Sequence, residues 1–227
     1  MPFYLPLIIA GLVLETIFIR QEYAKKLLPA LVIKSLASLV FVSLGAINYS
    51  LAANQLYALL ILLGLVFGMI GDIMLNLRYL YTDSRSNRVF AVGIAAFLLG
   101  HLLYMVALVL RLPAALYRSI PAAVILSILL IPLLLKNINP PGKGLKVFGI
   151  VYLAIVTAMF AFAAGLLSIH KNMLNTVFTI AAFLFMASDY ILIYYFFGKK
   201  KIRPLRAVNL MCYYISQLLI AMTILMR

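Results

Sequence analysis

Apolar residues fill eight stretches of this chain, at about 3–19, 27–47, 56–77, 89–110, 119–135, 145–167, 173–197 and 207–226, with short polar breaks between them. Each stretch is close to the ~20 residues with which an α-helix crosses a hydrocarbon core. In lipid every backbone amide must be satisfied within its own segment, and stretches of this length exceed barrel strands. The pattern therefore predicts eight transmembrane helices. Asn48, Asn54, Pro113, the segment 137–142 and Pro204 mark several of the breaks. None is long enough to serve as a linker, so residues 1–227 are expected to form a single all-α polytopic bundle.

Composition agrees, since 67% of residues are hydrophobic and 11% charged, whereas a soluble domain is about 45–50% apolar. The formal charge of +14 would suggest nucleic acid on a soluble protein. Here the basic residues sit in short loops, where they orient helices and meet anionic headgroups. The first, third, fifth and seventh loops hold 14 of the 19 Lys and Arg. The opposite side holds Arg111, Arg118, Lys171 and Arg227, and Lys34 lies within a helix. By the positive-inside rule both termini are expected to be non-cytoplasmic. The single cysteine, Cys212, leaves no internal disulfide. No cleaved signal peptide is expected from the opening residues, and Tyr, with 14 copies and no Trp beside it, is expected to form the interfacial belt.

Against this background the polar residues inside the apolar stretches stand out. Gly64-Leu-Val-Phe-Gly68-Met-Ile-Gly71-Asp72-Ile-Met-Leu75-Asn76 is echoed by Met186-Ala-Ser188-Asp189-Tyr-Ile-Leu192. An ionised carboxylate at the bilayer centre costs roughly 2.5–3.5 kcal/mol even on insertion scales, so two such motifs suggest a polar chamber that does chemistry on a lipid. At 1.5 Å per residue, Glu15 lies about 6 Å, Asp72 about 8 Å, Lys34 about 10 Å and Asp189 about 12 Å in from the odd-loop end. On the same scale Gln217 lies about 15 Å in and His101 about 18 Å. Six helices thus contribute to one polar layer, in a cavity expected to open toward the cytoplasm. Asn209, Tyr213 and Gln217 share a stripe on the eighth helix, and His101 neighbours Tyr104 on the fourth. The face carrying Gly64 and Gly68 suits either a close helix neighbour or an acyl chain. A weak repeat is also visible. Asp72 precedes His101, and Asp189 precedes Gln217, at nearly equal spacing, which would make the bundle two four-helix halves of parallel orientation.

Several chemistries fit poorly. Zinc hydrolysis needs three or more ligands; His170 belongs to a loop, so only Asp72, Asp189 and His101 could make a set. No Gly-x-Ser-x-Gly elbow and no phosphate-cradling glycine loop is present. The residues before the aspartates, Met69 and Ser188, differ from those of intramembrane aspartyl proteases. Acid–base hydrolysis by two carboxylates in unlike surroundings, without a covalent nucleophile, fits best.

The segments Phe-Gly-Met-Ile-Gly71-Asp72-Ile-Met-Leu, Phe-Leu-Leu-Gly-His101-Leu-Leu-Tyr104, Phe-Leu-Phe-Met-Ala-Ser188-Asp189 and Tyr213-Tyr214-Ile-Ser-Gln217-Leu-Leu-Ile-Ala resemble the YhhN-like family of eight-span membrane proteins. The resemblance runs through helices two to eight in order. It implies a lysoplasmalogenase, which uses water and no cofactor to turn a lysoplasmalogen into a long-chain aldehyde and glycerophosphocholine or glycerophosphoethanolamine. It further implies that Asp72 and Asp189 divide the acid and stabiliser/base roles in an order left open. His101, Tyr104, Asn209, Tyr213 and Gln217 would then position water and the glycerol oxygens, and Lys34 would attract the phosphate. The expected partners are a lysophospholipid and membrane lipids, with no nucleic acid and no obligate protein. A proton-coupled solute or lipid transporter is the alternative, and an inactive scaffold a third; transport requires access from both faces.

Overall fold

The structure, a computed structural model, describes residues 4–139, 142–200 and 202–226. Pro140 and Pro141 of the fifth loop, Lys201 and Arg227 of the charge pattern, and the side chain of Lys143 lie outside what is described. The apolar stretches form α1 (Tyr4–Tyr23), α2 (Leu27–Ser50), α3 (Gln55–Leu77), α4 (Ser84–Arg111), α5 (Leu116–Lys136), α6 (Lys143–Ile169), α7 (Met173–Phe197) and α8 (Pro204–Thr223). All eight are long and apolar enough to span a membrane.

Two helix starts differ from the apolar pattern. Asp83 accepts a hydrogen bond from the Arg85 amide at 2.9 Å. That N-cap lets α4 begin at Ser84, within the polar segment, instead of near residue 89. Pro204, read above as a break, is instead the first residue of α8. Its missing N–H is not needed there and its fixed φ suits the first turn. Arg206, counted above as a loop charge, consequently lies on α8 and is buried.

Consecutive helices pack on one another within residues 4–111 and again within 116–223. Between these halves, α4 packs on α6 and α8 packs on α2. These are equivalent contacts under the shift of the weak repeat, whereas the packing of α8 on α1 and α3 has no repeat-related counterpart of similar extent. α3 meets α4 and α8 through its glycine face. A Cβ on Gly64 would collide with the Tyr104 ring, one on Gly68 with the Gln217 amide, and one on Gly71 with the Phe97 ring. The small residues therefore admit neighbouring helices, which settles the choice between a helix and an acyl chain on that face.

Both ends are tied. At the odd-loop end Tyr23 donates to the Arg203 carbonyl at 2.9 Å, the Asn139 amide to Phe197 at 2.7 Å, and the Lys199 amide to Asn137 at 3.0 Å. At the even-loop end Asn48 donates to the Ala221 carbonyl at 2.9 Å, and the hydroxyls of Tyr57 and Thr223 are 2.8 Å apart.

Candidate active site

Helix α3 carries Asp72 one turn beyond Gly68, on the face where α2 and α8 come close. Three donors converge on its Oδ2. The hydroxyl of Ser38 from α2 donates at 2.6 Å, that of Tyr213 from α8 donates at 2.9 Å, and the ammonium of Lys34 stands 3.7 Å away. An array of donors around one oxygen is what a carboxylate accepts. Behind Tyr213 the array continues. Tyr104 donates to Gln217 Oε1 at 2.9 Å, and Gln217 Nε2 donates to the Tyr213 hydroxyl at 3.1 Å. The chain of donors from Tyr104 through Gln217 and Tyr213 thus runs in one direction and ends on Asp72, so each bond polarises the next.

Lys34 does not stand ready for a phosphate, as the sequence suggested. Its ammonium contacts both oxygens of Glu15, at 2.9 and 3.0 Å, in addition to Asp72. The rings of Tyr213, Phe18 and Tyr214 surround it at 4.9, 5.2 and 5.7 Å. Glu15 is fully buried and does not snorkel. An ion pair this deep persists because each charge would cost several kcal/mol alone.

Asp189 sits on α7 in a corresponding environment. Tyr152 of α6 donates to its Oδ2 at 2.8 Å, and His101 Nε2 of α4 faces the same oxygen at 3.6 Å. His101 Nδ1 lies 2.6 Å from the Phe97 carbonyl oxygen. A carbonyl only accepts, so Nδ1 carries a hydrogen, and Nε2 is either a bare lone pair or the second N–H of a cation. Nε2 has no hydrogen-bond partner among the described residues. Nε2 therefore faces the Asp189 carboxyl oxygen with room for a proton to lie on either side. Each aspartate thus meets the second helix of its own half and the fourth helix of the other: Ser38 and Tyr213 for Asp72, Tyr152 and His101 for Asp189. This repeats the backbone arrangement in side chains.

Asp72 and Asp189 line one cavity of about 30 Å³, together with Lys34, Asn209, Tyr213 and Arg206. A space of this size can hold a water molecule. His101, Tyr104 and Gln217 do not line it; being deeper, they act from behind the residues that do. Asn209 donates to both the carbonyl and the hydroxyl of Ser188, at 2.8 Å each, and joins α8 to the turn of α7 before Asp189. Among the described residues no three His, Cys, Asp or Glu side chains converge as a metal-ligand set, so Asp72, Asp189 and His101 do not form one.

Sequence reasoning missed Tyr152, Arg206 and Ser38 as site residues. Arg206 donates from Nε and Nη2 to Glu22, at 2.7 to 3.1 Å, and from Nη1 to Asn209 Oδ1 at 3.0 Å. A usable signal existed, because positions 206, 209, 213 and 217 make one helical stripe once Pro204 is read as a helix start. For Tyr152 the only hint is that the repeat lays it beside Lys34.

A model of the YhhN family matches residues 23–224, which includes all of these side chains except Glu15, Phe18 and Glu22. No curated protein and no solved structure matches the chain.

Proposed function

The chain belongs to the YhhN family, and from this premise we propose that it hydrolyses the vinyl ether bond of lysoplasmalogens with the Asp72 and Asp189 carboxyls. The observation that carries the proposal is that two buried aspartates from different halves line one small cavity, each with its own set of polar neighbours. Such a division suits a reaction needing a proton donor and, separately, a negative charge.

In this reading the Asp189–His101 pair delivers its proton to the alkenyl carbon remote from oxygen. The double bond supplies the electron pair, and the carbon next to oxygen becomes an oxocarbenium ion. Asp72, held as a carboxylate by Lys34, Ser38 and Tyr213, stabilises that cation. Water adds to the cationic carbon and returns a proton to the Asp189–His101 pair. The resulting hemiacetal then collapses, its hydroxyl proton passing to the departing glycerol oxygen, to give the long-chain aldehyde and glycerophosphocholine or glycerophosphoethanolamine. Arg206, which keeps donors beyond those engaged with Glu22 and Asn209, replaces Lys34 as the group that meets the phosphate. No metal or cofactor takes part.

The orientation belongs to the same proposal: the odd loops, which hold most of the basic residues, face the cytoplasm and both termini face away. The transporter reading needs a second opening at the even-loop end, where Asn48 and Tyr57 bond across helices; this supports the hydrolase reading. The test is incubation of purified protein with alkenyl and matched acyl lysolipids. Aldehyde should appear only from the alkenyl substrate, and Asp72→Asn or Asp189→Asn should lower its release by at least about 100-fold. An active Asp189→Asn variant would end the assignment.

A further inference from the structure

α4 packs on α6 and α6 packs on α7, whereas α4 and α7 meet through side chains deeper in the bundle, His101 with Asp189 and Phe185 and Tyr104 with Phe178, with their backbones held apart. Their odd-loop halves consequently part, and the gap is a second cavity of about 70 Å³ with an almost wholly apolar lining. It runs along α4 from Phe90 to Phe97 and along α6 from Lys146 to Leu153, which at 1.5 Å per residue is about 10 Å. Among the described residues Lys146 is the only charged one in the lining.

Three features connect this cleft to the aspartates. Leu75, Phe97 and Leu192 line both cavities. Tyr152 lines the cleft, and its hydroxyl donates to Asp189. Gly149 faces the cleft, and a Cβ there would meet nothing within 4 Å. Interiors normally pack to the density of organic crystals, so open space beside a glycine, next to a polar cavity, is space for something else.

We propose that this cleft seats the first part of the hydrocarbon chain attached to the bond that is cleaved, and that the rest of that chain continues into the bilayer. The proposal rests on reading the neighbouring cavity as the site of lipid hydrolysis. Because the chain arrives from lipid and not from water, the cleft adds little hydrophobic driving force. Its contribution is orientation: a chain fixed between α4, α6 and α7 presents its head-proximal atoms at the wall shared with Asp72 and Asp189. At the odd-loop end the Arg78 guanidinium lies over the rings of Phe90 at 4.3 Å and Phe196 at 4.6 Å. It bridges α4 to α7 and limits how far the cleft can open there.

The experiment uses full-length protein in phosphatidylcholine nanodiscs and a non-hydrolysable alkyl-ether lysophosphocholine with a diazirine near the glycerol end of its chain. After irradiation, label is expected on cleft residues of α6 and α7, and unlabelled lysolipid should compete for it. Gly149→Leu should weaken this labelling about tenfold, in keeping with the penalty of extra methylenes in a filled pocket. Gly149→Ala should give an intermediate loss and, with its better helix propensity, report on the cleft without a folding defect. Label confined to outward-facing residues such as Ile125 and Ile128 of α5 would overturn the proposal. So would equal labelling of wild type and Gly149→Leu, or equal labelling of the cleft by a diacyl lipid carrying the same diazirine. Cleft labelling without aldehyde release from an alkenyl lysolipid keeps the chain site and removes the proposed reaction. Aldehyde release from a protein whose cleft takes no label does the reverse.

Discussion

Replacing Lys34 by Met separates charge from packing at the centre of the bundle. Met is similar in length and apolar, so Lys34→Met keeps the space filled and removes only the ammonium. Glu15 then loses its contacts at 2.9 and 3.0 Å, and Asp72 its contact at 3.7 Å. Two carboxylates, on the helices flanking α2, remain buried with no cation in contact. Breaking a buried pair by deleting one partner costs about 3–5 kcal/mol. At about 2–4 °C per kcal/mol for a chain of this size, the unfolding midpoint should drop on the order of 10 °C. Glu15→Leu combined with Lys34→Met removes both charges. It should recover most of that loss, since apolar replacement of a buried pair is often neutral or stabilising. The chain has no Trp, so unfolding is best followed by circular dichroism or by size exclusion after heating in detergent. Aldehyde release should stay low in both variants, because Asp72 has lost the cation beside it. The reasoning fails if the single variant melts with the wild type, or if the double variant is no more stable than the single one.

Two further substitutions probe the hydrogen bonds around the aspartates. Tyr152→Phe keeps the ring in the cleft and removes only the hydroxyl on Asp189. A hydrogen bond to a charged group is worth about 1.5–3 kcal/mol, so aldehyde release should fall about 10- to 100-fold with little change in thermal stability; unchanged turnover would exclude a role for that bond. Gly68→Ala places a methyl on the Gln217 amide, at an overpacking cost of about 1–3 kcal/mol, and breaks the bond from Gln217 to Tyr213. Activity and melting temperature should both drop, whereas Gly144→Ala, whose Cβ enters open space, should leave both unchanged.

The eight spans were legible in the chain because a bilayer imposes one rule on every segment: enough apolar length, with all backbone amides bonded internally. Asp72 and Asp189 were legible for a related reason, since acidic residues are conspicuous in hydrocarbon. Helix starts were less visible. They depend on the Asp83 cap and on Pro204 at a first turn, which are local details that hydrophobicity does not record. Arg206 was misplaced for that reason alone.

Partners were a matter for the tertiary structure. Whether Lys34 faces Glu15, Asp72 or a phosphate depends on the rotation and height of three helices, to which the apolar periodicity is almost blind when most faces are apolar. The same holds for Tyr152, one of fourteen tyrosines until α6 brings it to Asp189, and for His101 and Gln217, which act from behind the cavity and do not line it. The amino-acid sequence by itself determined which segments enter the membrane and which charged groups they carry in, because transfer free energy is a property of each segment alone. How those groups pair, and that a cleft opens where α4 and α7 part, followed only from packing, because those depend on distances between segments far apart along the chain.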